Sequence, residues 1–151
     1  MSKSGIKIVQ CSGGELMYIF EWNDEIITGF DNIDKQHREL YNRINDFFNA
    51  TNRNQEKKIM DDMMHYLNGF FVEHFTDEEK IHSEGKFPYF EAHAKAHEKI
   101  LKDLNEIDQL YKQEGYSEKL EIKLYNLLIR DMLTQMKEFD IPLARFIKEK
   151  H

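Results

Sequence analysis

Histidines and acidic residues are concentrated at residues 74–97, where HFTDEEKIHSEGKFPYFEAHAKAH contains four of the chain's seven histidines. His74 and Glu78 are four residues apart, as are His93 and His97, so each pair shares one face of a helix. Imidazole and carboxylate ligands together suit iron, manganese or zinc. The segment therefore predicts a metal site that holds either one ion or two.

These four residues and His37 lie on helix faces that are expected to be buried, because each is in line with apolar residues at three- and four-residue steps. A single histidine on an apolar face is most often an ordinary core residue. Burying a polar group without a partner, however, costs about 1–3 kcal/mol, and a typical domain is stable by only about 5–15 kcal/mol. Five such groups from three helices need a common partner, and a metal provides one.

Four amphipathic segments carry these residues. Their predicted positions are a first helix around residues 33–47, a second from the N-cap Asn54 to Gly85, a third from Pro88 to Gly115, and a fourth from the N-cap Ser117. The sequence Asp140-Ile-Pro is expected to interrupt the fourth helix, and LARFIKEK to form a further short helix. The pattern predicts an all-α fold, an up-down-up-down four-helix bundle over residues 21–151, with an extended or mobile N-terminal arm over residues 1–20 and a short C-terminal helix.

Composition narrows the class of protein. With 151 residues the chain has the length of one domain, and its two prolines and seven glycines are too few for the many turns of an all-β fold. A net charge of −7 disfavours nucleic acid as a partner, because phosphate binding needs a basic surface. Cys11 is the only cysteine, and neither a membrane-spanning run nor a signal peptide is recognisable. We therefore expect a cytoplasmic protein without a membrane span.

Several motifs occur in a distinctive order along the chain. They are Trp22, Gly29, IDKQHREL with His37, HFTDEE with His74 and Glu78, Phe87-Pro88, HAKAH with His93 and His97, and DIPLARFI from Asp140. In this order they resemble the hemerythrins, specifically the single-domain bacterial hemerythrins, over about residues 20–150. A ferritin-like di-iron bundle fits less well, because it needs two Glu-x-x-His motifs and only Glu79 and His82 have that spacing.

The resemblance implies a centre of two non-haem iron ions with an oxo or hydroxo bridge, and dioxygen as the molecule that it binds. By the same resemblance, His37 and His74 hold the iron that has an open position for dioxygen. His93 and His97 hold the other iron. Glu78 and Asp140 bridge the two.

One position departs from the family pattern. The family has a histidine five residues before the fourth-helix aspartate, where this chain has Gln135. His82 continues the helix face of His74 and Glu78 by one more turn, and we therefore predict that His82 replaces the missing ligand. The alternative is that His82 is a surface histidine and that the second iron has one ligand fewer.

Three functions fit these observations. The first is a dioxygen-binding protein for storage, delivery or sensing, with an unidentified protein partner in the last case. The second is a di-iron enzyme that reacts with oxygen or peroxide, and the third is a metal reserve. A reversible binder needs a dry apolar lining, which we expect from Leu40, Phe70, Phe71, Phe75 and Phe90. We favour binding over catalysis.

Overall fold

The computed structural model describes residues 5–10, 16–21, 26–49 and 56–150. A hairpin of β1 (Gly5–Gln10) and β2 (Leu16–Glu21) precedes helices α1 (Asp31–Phe48), α2 (Glu56–Gly85) and α3 (Phe90–Glu114). The fourth helical segment consists of α4 (Glu118–Tyr125), the π-helical π1 (Asn126–Asp131), α5 (Met132–Gln135), the π-helical π2 (Met136–Asp140) and α6 (Ile141–Lys150).

The four helical segments form the predicted all-α bundle. Consecutive helices are joined by short connections and pack against each other, as in an up-down-up-down arrangement. The fourth segment returns to α1, where the Tyr41 hydroxyl donates to the Met136 sulfur at 3.1 Å. Leucine, isoleucine, methionine and phenylalanine side chains fill the space between the helices. None of the helices in the described ranges has an apolar stretch that could cross a bilayer.

The N-terminal strands add a feature that the sequence patterns did not predict in detail. Strands β1 and β2 pair antiparallel, with Gly5 opposite Glu21 and Gln10 opposite Leu16, and β2 packs against α1. The division into an arm at residues 1–20 and a domain at residues 21–151 stays a prediction. The suggested N-cap Asn54 and the motif residue Trp22 lie outside the described residues.

The start of α1 is fixed by a buried carboxylate. Asp34 accepts hydrogen bonds from the Thr28 backbone N–H and hydroxyl, both at 2.8 Å, and from the Gly29 N–H at 2.9 Å. Gly29 has a φ of 86°, which strongly favours glycine. Asp34 is one turn before His37, so this network fixes the helix turn that carries the first histidine of the site.

Helix α2 ends at Gly85, as predicted, but the residue in the left-handed conformation is Lys86, with a φ of 56°. Its N–H donates to the His82 carbonyl at 2.8 Å and closes the last turn. A Cβ at Gly85 would lie 1.8 Å from Ile147 Cδ1. Glycine is therefore needed here chiefly because α6 passes close to the end of α2.

The fourth segment differs from the prediction in its second half. Ser117 caps its first turn, accepting from the Leu120 N–H at 3.1 Å as expected. The predicted interruption at Asp140-Ile-Pro is wrong, since the chain stays helical through Pro142 to Lys150. The π-helical turns of π2 immediately precede this proline, and their wider hydrogen-bonding pattern offers a physical reason why it is tolerated.

Replacing Asp34 with alanine should destabilise the protein by about 2–3 kcal/mol, because the buried Thr28 donors lose a charged acceptor. Asp31→Ala is the matched control, since Asp31 is an exposed acidic residue in the same helical turn. Urea unfolding at neutral pH measures both changes. Equal effects of the two substitutions would contradict the role assigned to Asp34.

Candidate metal centre

Two groups of ligand atoms meet in the middle of the bundle. One consists of His37, His74, Glu78 and Asp140, and the other of Glu78, His93, His97 and Asp140; within each, the ligand atoms lie within 4.8 Å of one another. All six residues are buried. The carboxylates belong to both groups, so the arrangement suits two metal ions placed side by side.

The distances within the two groups are those of atoms that face a common point. His37 Nε2 is 3.1 Å from His74 Nε2 and 3.3 Å from Asp140 Oδ2. On the other side, His93 Nε2 is 3.0 Å from Asp140 Oδ1 and 3.3 Å from Glu78 Oε2. Each carboxylate thus directs one oxygen to each pair of histidines.

Several of these atoms lack a suitable hydrogen-bond partner although they are buried. They include both oxygens of Glu78, both ring nitrogens of His97 and Oδ2 of Asp140. Glu78 Oε1 does come very close to His74 Nε2, but without the geometry of a hydrogen bond. Unpaired buried polar groups are costly. These nitrogen and oxygen atoms point at a common space without hydrogen bonding to one another, and metal ions in that space would satisfy their lone pairs.

The tautomer of His74 follows from its partners. Gln36 Nε2 donates to Asp77 Oδ2 at 2.8 Å, and a carboxylate can only accept, so the amide oxygen of Gln36 must face His74. That oxygen lies 2.8 Å from His74 Nδ1. Nδ1 therefore carries the ring proton, and Nε2 presents its lone pair to the site. Asn32, which donates to Asp77 at 3.0 Å, extends the network to the surface.

His82 is buried, unlike the surface histidine of the alternative interpretation, but it belongs to neither group of ligand atoms. Its Nε2 contacts His93 Nδ1, which is on the opposite side of the ring from the His93 Nε2 that faces the carboxylates. His82 thus lies behind His93. A residue that contacts the ring nitrogen facing away from the metal commonly orients a metal-binding histidine.

Gln135 reaches the ligand groups from the fourth helix. Its amide Nε2 is 2.6 Å from His93 Nε2 and 3.2 Å from Asp140 Oδ1. In a regular α-helix, residues five apart differ by about 140° around the axis. The π-helical turns of π2, between Gln135 and Asp140, bring positions with this spacing closer to one face. This explains how both side chains enter the site.

The two carboxylates have opposite protonation preferences in the metal-free chain. Burial raises the pKa of Glu78 well above its ordinary value, and the nearby charge of Asp140 adds to this. Burial alone would also raise the pKa of Asp140, but its close polar contacts with Glu78 and the surrounding histidines lower this pKa well below the ordinary value. Metal ions compete with a proton held by this pair, so their binding should release protons.

Aromatic rings cover the histidines. Phe70 stacks on His74 with ring centroids 5.2 Å apart, Phe75 on His97 at 3.8 Å, and Phe139 on His93 at 4.9 Å. Leu40 and Phe71 are buried as expected. Phe90 is different, because 43% of it is exposed and its edge contacts His82. It does not belong to the dry lining in which the sequence analysis placed it.

The partners of the histidines are what the sequence analysis missed. Gln36 directly precedes His37, but its contact with His74 depends on how α1 packs against α2, so helical periodicity contains no sign of it. The sequence marks Gln135 only as the position at which the family histidine is absent. His65 is exposed and belongs to neither group of ligand atoms.

The fold and the paired ligand groups define a helical-bundle protein with a two-metal centre, and comparison with known proteins identifies the class. Residues 28–140 match the family model described as the hemerythrin HHE cation binding domain. The chain therefore belongs to the hemerythrin family. Its cofactor is the di-iron centre of that family, for which the two ligand groups are suitably placed.

Individual relatives have similar identities but different coverage. The chain is 29% identical over 93 residues to a bacteriohemerythrin of Stenotrophomonas maltophilia, covering 60% of this chain and 58% of that protein. It is 27% identical over 132 residues to a bacteriohemerythrin of Campylobacter jejuni, covering 85% and 96%. A hemerythrin subunit alpha of Lingula anatina is 29% identical over 85 residues, which cover 56% of this chain and 66% of that subunit.

Acidification should destabilise the metal-free protein through its buried histidines. Burial, followed by the neighbouring charge of His93, lowers the pKa of His97 to about 3. The unfolded chain, in which histidine has a pKa of about 6.5, takes up a proton at higher pH than the folded chain. The contribution of His97 to stability is thus lost as the pH falls from about 6.5 towards 3. Glu78 has the opposite effect on stability above pH 4.5. There the folded chain keeps a proton on Glu78 that the unfolded chain loses, so acidification favours the folded chain.

The histidine contribution is isolated by comparing the metal-free protein with His97→Phe. Their difference in unfolding free energy should change by about 1 kcal/mol per pH unit between pH 6 and 4. His65→Gln, which replaces a histidine at an exposed position, is the control variant. A pH-independent difference for His97→Phe would show that His97 does not stay neutral in the folded chain.

Proposed function

We propose that this protein binds dioxygen reversibly at its di-iron centre. The observation that carries the proposal is a pair of buried ligand groups that share two carboxylates and lie under aromatic rings. By the resemblance to the hemerythrins, the iron on the side of His37 and His74 is the candidate for the open position. When bound, the irons supply the electron density that dioxygen binding requires.

The proposed ligand set assigns His37 and His74 to the first iron and His93 and His97 to the second, with Glu78 and Asp140 shared. Support comes from the two groups of converging atoms and from the tautomer of His74 that Gln36 selects. The relatives named bacteriohemerythrin and hemerythrin subunit alpha favour a hemerythrin function for this chain. The aligned region spans 58% of the Stenotrophomonas relative.

The surroundings of the site favour reversible binding over oxygen reduction. Phe70 and Phe75 cover His74 and His97 and limit the access of water. Tyr41 is buried, its hydroxyl donates to Met136, and burial raises its pKa, so its proton is held firmly. Reduction of oxygen to peroxide or water needs protons, which these neighbours deliver poorly. Storage, delivery and sensing all rest on the same reversible step.

Anaerobic iron(II)-loaded protein should change its visible absorption when dioxygen is added and recover its original spectrum when dioxygen is removed. Repeated cycles followed in a sealed cuvette measure this. Immediate oxidation that is not reversed, or steady consumption of oxygen with a reductant present, would contradict reversible binding and favour an enzyme.

The aromatic cover should set the lifetime of the oxygenated protein. Phe70→Ser places a hydroxyl beside the ring of His74 and should accelerate irreversible oxidation of the iron, because water and protons then enter more readily. Val72→Ser is a matched control, since Val72 is on the exposed side of the same helix. Equal oxidation rates for the two variants would show that the aromatic cover does not protect the site.

A further inference from the structure

The amide of Gln135 is placed in an unusual way for a buried glutamine. One end of the amide faces two candidate ligand atoms, His93 Nε2 at 2.6 Å and Asp140 Oδ1 at 3.2 Å. The other end, Oε1, is buried without a hydrogen-bond partner. Nothing at that end therefore fixes which of the two amide atoms faces the site.

Gln36 provides a contrast. Asp77 accepts from its nitrogen and thereby fixes its oxygen towards His74. For Gln135, the orientation of the amide depends on what occupies the site, because oxygen and nitrogen are interchangeable in shape. Without metal, an N–H can point at the lone pairs of His93 and Asp140. With metal, the lone pair of His93 Nε2 is used for ligation, and an N–H directed at it loses its acceptor.

We propose that the side-chain oxygen of Gln135 is a ligand of the iron held by His93 and His97. An amide carbonyl is a suitable oxygen ligand, whereas the amide nitrogen is a donor without a lone pair to offer. The π-helical turns of π2 place this side chain next to Asp140, at the edge of the second ligand group. Gln135 thus replaces the imidazole that the family pattern has at this position.

This proposal replaces our sequence-based prediction that His82 is the substitute ligand. His82 Nε2 contacts the rear nitrogen of His93, so the two rings are arranged one behind the other. When His93 Nε2 faces the iron, its Nδ1–H can donate to His82. His82 then positions His93, and the oxygen ligand comes from the fourth helix.

The proposal rests on the di-iron centre and is independent of dioxygen binding, so an anaerobic iron(II) titration tests it. The wild-type chain should bind two irons, which tests the centre itself. Gln135→Met keeps the length of the side chain but removes its oxygen. It should weaken binding of the second iron by more than about 100-fold, which exceeds the usual effect of losing a residue that only hydrogen-bonds to a ligand. Gln135→His should restore binding.

Gln135→Glu separates a ligand from a hydrogen-bond donor, because it keeps an oxygen and loses the amide N–H groups. If Gln135 is a ligand, this variant should bind the second iron within about tenfold of wild type. Equal weakening in the Met and Glu variants would show that the amide N–H is what matters and would overturn the proposal. Unchanged affinity for the second iron in Gln135→Met would also overturn the proposal.

Two further variants complete the test. His82→Ala should weaken binding of the second iron by only about 10–100-fold, as expected for a residue that hydrogen-bonds to a ligand. A greater loss of affinity than in Gln135→Met would make His82 the ligand and overturn the proposal. Met132→Ala removes another buried side chain of the fourth helix and should leave iron binding unchanged. Circular dichroism of the metal-free variants shows whether each is folded, and the absorption spectrum of the oxidised two-iron form should change in Gln135→Glu.

Discussion

The structure depends on the burial of a polar cluster that its own side chains do not satisfy. Glu78 and Asp140 lie with four histidines in the interior of the bundle, and several of their ligand atoms have no hydrogen-bond partner. In an apolar interior such groups oppose folding. Metal ions convert this unfavourable arrangement into a favourable one, because they use the same lone pairs that burial leaves unpaired.

The fold positions the cluster by contributing candidate ligands from each of the four helical segments. Histidines from α1, α2 and α3 approach from three sides, while the carboxylates of α2 and π2 lie between them. The networks behind the ligands are equally specific: Asp77 orients Gln36, Gln36 sets the tautomer of His74, and His82 contacts the rear of His93. Aromatic rings then cover the faces of His74, His97 and His93. The chemistry of the site therefore depends on residues well beyond the ligands.

Much of the bundle could be predicted from the sequence, because helical periodicity and end signals such as Ser117 and Gly85 are local properties. The convergence of His74, Glu78, His93 and His97 was predictable for the same reason, since four-residue spacing fixes a shared helix face. The β-hairpin pairing was not foreseen. The continuation of the fourth helix through Pro142 was not foreseen either, because it depends on the π-helical turns before it. The positions of Gln36, His82 and Gln135 depend on packing between helices, which no single segment encodes.

The central claim is that two irons satisfy the buried cluster, and the iron content of the folded protein tests it most directly. Protein loaded with iron(II) without oxygen and then desalted should contain about two irons per chain, as two ligand groups with shared carboxylates require. Mass spectrometry under native conditions and elemental analysis give the count. A fully folded, homogeneous chain that retains one iron or none would contradict the account.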